Sequence, residues 1–569
     1  MRLKITKSPN SIAFYVIKDI KKNGKRTTKI VKKLGNEKDI LKKSNGEDPI
    51  VWVKKYIEEL NKKEKEGHVE VVEKYSSSKR ITKNVQKVFN GGYLFLQDIY
   101  YGLKLDKICK DISKQYKFEY DLNSILSRLI YTRILNPSSK LSSYEASKKL
   151  IEQPNFELQH IYRALEVIAN ETESIESCVY KNSLNLINRN TKILYYDCTN
   201  YFFETEQAEG LKQYGVSKEH RPTPIVQMGL FMDGDGFPLA FCINPGNTNE
   251  QTTLKPLEQQ IIKDFEFSHF VVCTDAGLSS KENRIYNNIQ NRSYIVTQSL
   301  KKIKGHLKEW ALSSSGWHTL NSSKEVDLND IDNSYENSTV YYKERWIKED
   351  GLEQRLIVSY SPKYAAYQRN IRNVQIVRAE NLIANPSSTA KSKQNDPKRF
   401  ISTTHITCDG EIANQRKLTL NTKIIENEAM FDGFYAVCTT LDDDISEIIK
   451  VNKRRWEIEE SFRILKTEFK TRPVYLKNDD RIKAHFTVCF LSLLIYRILE
   501  NKLDYKFTSS EIIRTLREMN FSKLGEDGYI PIYTRNDLTD NLHNIFGFRT
   551  DYEIVTKKLL KKISEKTKK

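Results

Sequence analysis

The chain has 569 residues, with Lys plus Arg at 92 against Asp plus Glu at 74, a formal net charge of +18. That length is several times what one core needs, so several domains are expected, and the basic excess favours nucleic acid over a membrane surface as partner. Its eight cysteines form no C-x-x-C pair, which argues against a zinc ribbon or a disulfide framework and for a reducing cytosol.

The opening MRLKITKSPNSIAFYV lacks the continuous apolar core of a signal peptide, and the most apolar helical stretch, Phe486 to Ile498, is too short to span a bilayer. A soluble cytoplasmic protein, nucleoid-associated and without a membrane partner, is the expectation. Residues 1–40 hold 12 Lys or Arg against Asp19, Glu37 and Asp39. SIAFYVIKDI reads as a strand, KKNGKR as a turn on Asn23-Gly24, and TTKIVKKLG as the returning strand. Such a basic β-hairpin can grip phosphates or can simply be solvated. Residues 50–75 read as a helix running into a Ser76-Ser77-Ser78 linker, which sets off 1–78 as a first unit. From about Gly91 to Leu186 the apolar spacing is helical, interrupted at Asn136-Pro137-Ser138-Ser139, so 79–190 reads as a small helical region of basic balance, with DNA or another protomer as its partner.

The texture changes at Thr191. TKILYYDCTNYFF, IVQMGLFMDGDG and FPLAFCINPGN are three strands, followed by a helix over 252–264, the buried strand HFVVCTDAG and the strand SYIVTQSL. This order predicts an α/β mixed sheet covered by helices over 191–300. Residues 301–430 break the rhythm and read as an insertion. It carries Trp310, Trp317 and Trp346, a strand QRLIVSYS, a helix over 364–383 and the basic loop ANPSSTAKSKQND. FDGFYAVCTT restores strand texture, and 431–505 reads as the second part of the core, ending in a buried helix DRIKAHFTVCFLSLLIYRILENKL. The basic C-terminal region, 506–569, ends in KKLLKKISEKTKK, seven lysines in thirteen residues, suited to salt-sensitive non-specific affinity for DNA.

Within the second part of the core, Ile445 to Lys470 has the length and periodicity of one long amphipathic helix, with Asp442, Asp443 and Asp444 ahead of it at the positive end of its dipole. Val451, Ile458, Phe462, Leu465 and Phe469 form its apolar stripe. Asn452, Arg455, Glu459 and Lys466 fall beside that stripe within roughly 60° of each other, whereas Glu457 and Glu460 project elsewhere. A surface helix with i, i+4 ion pairs has the same spacing. Two further acids close apolar strands: Asp197 after ILYY and Asp275 after FVVCT. Strand ends are where open α/β sheets keep their sites, although a turn or N-cap aspartate occurs there too.

Hard carboxylate oxygens suit magnesium, and two such ions can serve an in-line phosphoryl displacement. In that scheme Asp197 bridges both ions, Asp275 serves one and Glu459 the other, with Arg455 and Lys466 on DNA phosphates. His485 reads as a core histidine with a backbone partner, and Cys198 and Cys273 as small buried strand residues.

NKRRWEIEESFRILK is similar to the Tyr-x-x-Arg-x-x-x-Glu-(six residues)-Lys signature of insertion-sequence DDE transposases of the IS-four type. Arg455, Glu459 and Lys466 match it, Asn452 stands at the tyrosine position, and YYDCTNYFF and VVCTDAG resemble the segments carrying that family's first two aspartates. The resemblance runs in motif order from about Ile193 to Leu499, and the N-terminal region looks like the subgroup with long extensions. It implies a ribonuclease H-like catalytic domain with a mostly β insertion. Asp197, Asp275 and Glu459 would be catalytic and metal-binding, and Arg455, Lys466 and Asn452 DNA-binding. It also implies two Mg2+ ions with Mn2+ able to substitute, and cut-and-paste movement of an element by a homodimer that pairs inverted-repeat ends before joining them to target DNA. In relatives an insertion aromatic stacks on a flipped base; Trp310, Trp317 and Trp346 are the candidates here, with ordinary core packing as the plainer role. A nuclease or resolvase of the same fold, or a relative with a dead site, would share the basic surface. The presence of all three acids speaks against the dead site.

Overall fold

A computed structural model describes residues 1–8, 11–22, 25–44, 46–65, 76–289, 291–320, 322–349, 351–384, 396–406, 415–525 and 527–569. The chain forms two compact units: Met1–Lys87 with Phe521–Ile532 and Thr550–Lys561, and Val88–Asn520 with Tyr533–Arg549 and Lys562–Lys569.

In the first unit the expected hairpin is present as β2 (Ser11–Lys22) and β3 (Lys25–Asn36), paired antiparallel, although its Asn23-Gly24 turn lies outside the described residues. A strand not foreseen, β1 (Arg2–Ser8), pairs with β2 to make a three-stranded sheet. Phe14, Val16 and Leu34 of that sheet pack on Ile40 of α1 (Glu37–Lys43) and on Val53 and Ile57 of α2 (Pro49–Lys65), a small core at whose edge Lys32 Nζ donates to Tyr56 Oη of α2 at 2.8 Å. Residues 66–75 of the expected second helix lie outside the described residues.

The second unit begins with the short strand β4 (Val88–Asn90) and six helices: α3 (Tyr93–Gly102), α4 (Leu105–Gln115), α5 (Leu122–Leu135), α6 (Lys140–Ser147), α7 (Leu158–Asn170) and α8 (Thr172–Ser183). The turn expected at 136–139 separates α5 from α6, where Ser139 caps the new helix through Ser142 N–H at 3.2 Å. There follow β5 (Ile193–Phe202), β6 (Ile225–Asp233), β7 (Pro238–Pro245), α9 (Leu254–Phe265), β8 (Phe270–Thr274), α10 (Lys281–Tyr286) and β9 (Arg292–Gln298). β5, β6 and β7 pair antiparallel, while β5, β8 and β9 pair parallel, so the order β7-β6-β5-β8-β9 puts β5 at the centre. Both faces of this mixed sheet are covered, and β6 is buried along its whole length. Leu194, Tyr196 and Cys198 point to α8 and α9, where they pack with Tyr180, Leu254, Leu257 and Ile261.

Residues 301–430 hold α11 (Gly305–Leu312), β10 (Trp317–Thr319), β11 (Ser322–Val326), β12 (Tyr341–Glu349), β13 (Leu352–Tyr360), α12 (Pro362–Ala384), the hairpin β14 (Ile401–Ile406) and β15 (Gln415–Leu420), and α13 (Thr422–Ala429). Helix content is comparable with strand content here, because α12 alone runs 23 residues, so "mostly β" overstates the strands. Nor do β10 to β13 form a sheet apart: β13 pairs with β16 (Phe434–Thr439), which pairs with β9, and the sheet continues to ten strands. Residues 385–395 of the basic loop lie outside the described residues.

The single helix expected over 445–470 is divided. α14 (Ile445–Lys453) and α15 (Trp456–Arg463) are separated at Arg454-Arg455, and residues Ile464–Glu468 form a π-helical turn. Asp444 does cap the start, accepting from Ser446 N–H at 3.2 Å. At the break, Arg455 N–H donates to Asn452 O and Glu457 N–H to Arg454 O, the tighter i to i−3 pattern. Apolar periodicity does not register such a turn, because every residue in it is a tolerable helix former. The buried helix read over 480–503 is present as α16 (Asp479–Lys502); against the expectation that its apolar stretch is too short, it is the one helix among the described residues long and apolar enough to cross a membrane, yet 94% of its apolar window is buried inside the protein. It packs against α3, α5, α7 and α8 and against the sheet, Tyr201 meeting Phe486 and Phe241 meeting Phe490.

The chain closes with α17 (Ser509–Glu518), β17 (Asn520–Leu524), β18 (Gly528–Pro531), α18 (Asp537–Phe546), β19 (Val555–Thr556) and α19 (Lys557–Lys566). The lysine-rich end is therefore folded. Leu560 and Ile563 are buried, Lys566 Nζ donates to the Phe546 and Gly547 carbonyls, and Lys568 pairs with Glu152 at 2.8 Å.

Candidate functional site

Asp197 lies in the middle of β5, not at its end, because β5 runs on beside β6 after its parallel partner β8 has stopped. β5 pairs Ile193, Leu194 and Tyr195 with Val271, Val272 and Cys273, and β8 pairs Val272, Cys273 and Thr274 with Tyr294, Ile295 and Val296 of β9. Carried on, this register sets Asp197, Asp275 and Thr297 in one row on one face of three neighbouring strands. Two residues back in the same row pattern, Tyr195 Oη donates to Val451 O at 2.9 Å and Cys273 Sγ lies 3.8 Å from Asn452 Oδ1. The end of α14 is thereby pinned over the sheet, and the start of α15 falls above the two aspartates. The β6–β7 turn supports the same helix: Arg454 reaches Asp235 at 3.7 Å and Glu457 at 2.9 Å. Gly236, at φ +84°, leaves room there that a Cβ would take from the Glu457 carboxylate.

Arg455 links the row to the helix. Its Nη1 donates to Thr297 Oγ1 at 3.0 Å, its Nη2 stands 4.0 Å from Glu459 Oε1, and Asp275 and Asp197 are among the groups whose charge acts on it. Burial pushes the Asp197 carboxyl up to about 6, opposed by Lys218 and reinforced by Asp275. Asp197 Oδ1 accepts from Cys198 N–H at 2.8 Å, and Asp275 Oδ1 from Gly277 N–H at 2.8 Å and Leu278 N–H at 3.2 Å. Each aspartate thus turns one oxygen to the backbone and keeps Oδ2 for something else. Glu459 is two-thirds exposed, and among the described residues no three His, Cys, Asp or Glu stand close enough together to hold a metal ion. The carboxylate oxygens of Asp197 and Asp275 are hard donors of the kind a divalent cation such as magnesium takes, and Glu459 stands apart from them with its side chain 67% exposed.

Lys466 lies on the π-helical turn, largely buried, with Glu219 Oε1 at 3.9 Å and the Tyr201 ring at 5.7 Å. Burial and then the charge of Lys218 push it down to about 8, while Asp197 acts the other way. Asn452 departs from its expected role. It is 7% exposed, and its Nδ2 donates to Tyr435 Oη at 3.0 Å, so it has no surface to offer a DNA backbone. Tyr435 Oη lies 2.7 Å from Thr297 Oγ1, so Asn452, Tyr435, Thr297 and Arg455 form one hydrogen-bonded chain.

Thr297, Tyr435, Lys218 and Glu219 were not singled out by sequence. The two on strands sit in ordinary apolar runs, and the other two lie in an aperiodic polar loop between β5 and β6. Beside Thr297 and Tyr435 opens a cavity of about 490 Å³ walled by Tyr364, Tyr367, Phe431 and Phe434. The tryptophans stand elsewhere: Trp317 is fully buried with Lys343 Nζ over its ring, Trp310 lies under Lys343 and Arg345, and Trp346 is 46% exposed on β12. His485 is a buried core residue, its Nε2 3.4 Å from Thr471 O.

Among solved structures, the chain is similar to a piggyBac transposase synaptic complex with hairpin DNA at 9% identity and a TM-score of 0.36, covering 84% of each chain. It is also similar to a Mos1 transposase paired-end complex with left transposon end at 16% identity and a TM-score of 0.14, covering 42% of this chain and 66% of that one. No curated protein matches it. The family model for the transposase DDE domain matches residues 202–495, a span that holds Asp275, Arg455, Glu459 and Lys466 and begins just beyond Asp197. With more than half of its 569 residues inside that match, the chain belongs to the DDE transposase family.

Proposed function

We propose that this protein is a cut-and-paste transposase of the insertion-sequence IS-four type, which cleaves DNA at the inverted-repeat ends of its element and joins the freed ends to target DNA. The observation that carries this reading is the row Asp197, Asp275, Thr297 with Arg455 standing over it. The strand order β7-β6-β5-β8-β9, three antiparallel and then two parallel additions around β5, supports a ribonuclease H-like core.

In this reading Asp197, Asp275 and Glu459 would hold Mg2+ or Mn2+. When bound, the ions supply Lewis acidity that eases deprotonation of water and offsets charge on the reacting phosphate. Arg455, aligned by Thr297, binds that phosphate from the helix side, and Lys466 binds a neighbouring one. The first 190 residues read the element ends, and a homodimer pairs them on nucleoid DNA in the cytoplasm. Tyr364 and Tyr367, which wall the cavity beside Thr297, are aromatics that would stack on an unpaired base there.

The test is incubation of the full chain and Mg2+ with duplexes copied from the inverted repeats that flank its reading frame, together with a target plasmid. Breaks at the element boundary and covalent joining to the plasmid are expected. Breaks without joined products would replace the transposase reading with that of a nuclease or resolvase.

A further inference from the structure

The loop between β5 and β6 brings a cation to Asp197 that neither the signature helix nor the strand row supplies. Lys218 is held there by the loop's own anchoring: its backbone N–H donates to Asn200 Oδ1 at 3.2 Å, and Asn200 Nδ2 donates back to Val216 O at 3.0 Å. Asn200 is 2% exposed, so the anchor belongs to the core of β5. The Lys218 ammonium reaches the carbonyl of Cys198, the residue after Asp197, and stands 3.2 Å from Glu250 Oε1. The two lysines converge on one stretch of β5 and its loop: Lys466 Nζ stands 3.9 Å from Glu219 Oε1, on the residue next to Lys218, and 5.7 Å from the Tyr201 ring, while Lys218 meets the carbonyl of Cys198 on the same strand.

Like charges pushed together at a half-buried spot cost free energy unless an anion joins them. The acids beside them offer little. Glu219 is shared between Lys466 at 3.9 Å and Arg472, and Glu250 is a single partly exposed carboxylate. We infer that Lys218 and Lys466, one from the β5–β6 loop and one from the π-helical turn, form a two-lysine clamp for a single DNA phosphodiester beside Asp197. The clamp assigns Lys218 a direct contact to substrate, with Glu219 as the counter-ion that DNA displaces from Lys466. This rests on the transposase reading above, since it deepens the same site.

The experiment uses the full chain and a duplex copied from the element end, with one neutral methylphosphonate walked through the boundary positions. Affinity is measured against salt for the wild type, Lys218→Gln and Lys218→Arg. In the wild type one methylphosphonate position should lower affinity about tenfold. In Lys218→Gln the same substitution should cost little further, and the slope of log affinity against log salt should fall by about 1. Lys218→Arg should keep most of the slope and report that the loop still folds. A full methylphosphonate penalty or an unchanged slope in Lys218→Gln overturns the clamp while leaving the transposase reading standing. No penalty at any position in the wild type likewise overturns the clamp, while the transposase reading falls only if the end duplexes yield no breaks joined to the plasmid.

Discussion

At Asp197 two effects compete: burial disfavours the carboxylate, and the cations around it restore it. A divalent ion shared with Asp275 would settle that competition in favour of both carboxylates. Asp197→Asn and Asp275→Asn should therefore each lower cleavage of end DNA by about 10³-fold or more. Affinity for the same DNA should hold or tighten, since each change removes a negative charge facing phosphate. Parallel cleavage and filter-binding assays check this, and equal loss in both would count against a metal-holding role. Asn452 makes a contrasting point. Its spacing on the helix put it with Arg455, yet the structure buries it as the support of Tyr435, because a helical wheel cannot tell a residue facing solvent from one facing the next strand.

The element that carries Glu459 is short and depends on its neighbour. Arg497 of α16 donates through Nη2 to Glu457 O at 3.0 Å and to Ser461 Oγ at 2.8 Å, while its Nη1 pairs with Glu500 at 2.7 Å. The Arg497 and Glu500 side chains are 6% and 10% exposed, so removal of the arginine leaves a buried carboxylate with no cation and only the Tyr496 hydroxyl donating to it at 3.1 Å. Arg497→Ala should lower stability by about 3 kcal/mol or more in denaturant melts. It should also lower cleavage at temperatures where the fold persists, without contacting DNA. Stability within about 0.5 kcal/mol of the wild type would mean that α15 is held by its apolar face alone. The break before α15 and the π-helical turn after it set the directions of Arg455 and Lys466, a role for irregular helix geometry that is frequent at functional sites.

For the molecule as a whole, buried acids set a pH dependence. Glu176 of α8 accepts from Phe241 N–H at 3.0 Å and Gln260 Nε2 at 3.2 Å, and burial pushes it from 4.5 up to about 8. The folded protein keeps that proton over a range where the unfolded chain has released it, so the Glu176 contribution to stability falls as pH rises between those values. Glu258, pushed up to about 7 by burial, acts in the same sense. Glu176→Gln should gain melting temperature over the wild type progressively from pH 5 to pH 8, as read by circular dichroism. A difference independent of pH would show that Glu176 is ionised in the fold.

Local spacing determined a good deal by itself. The helical character of 91–186, the strands around Asp197 and Asp275, and the interval linking Arg455, Glu459 and Lys466 all follow from apolar periodicity and sequence distance, which report burial along one segment. Tertiary structure alone decided which residues share a place. The row of Asp197, Asp275 and Thr297 exists because strands far apart in sequence pair in one register. Lys218 reaches Asp197 because Asn200 ties a loop without periodicity back to β5. The inserted strands β10 to β13 continue the main sheet because β13 finds β16 across an intervening stretch that includes α12. Strand pairing and loop anchoring are contacts between segments, and no period within a single segment encodes them.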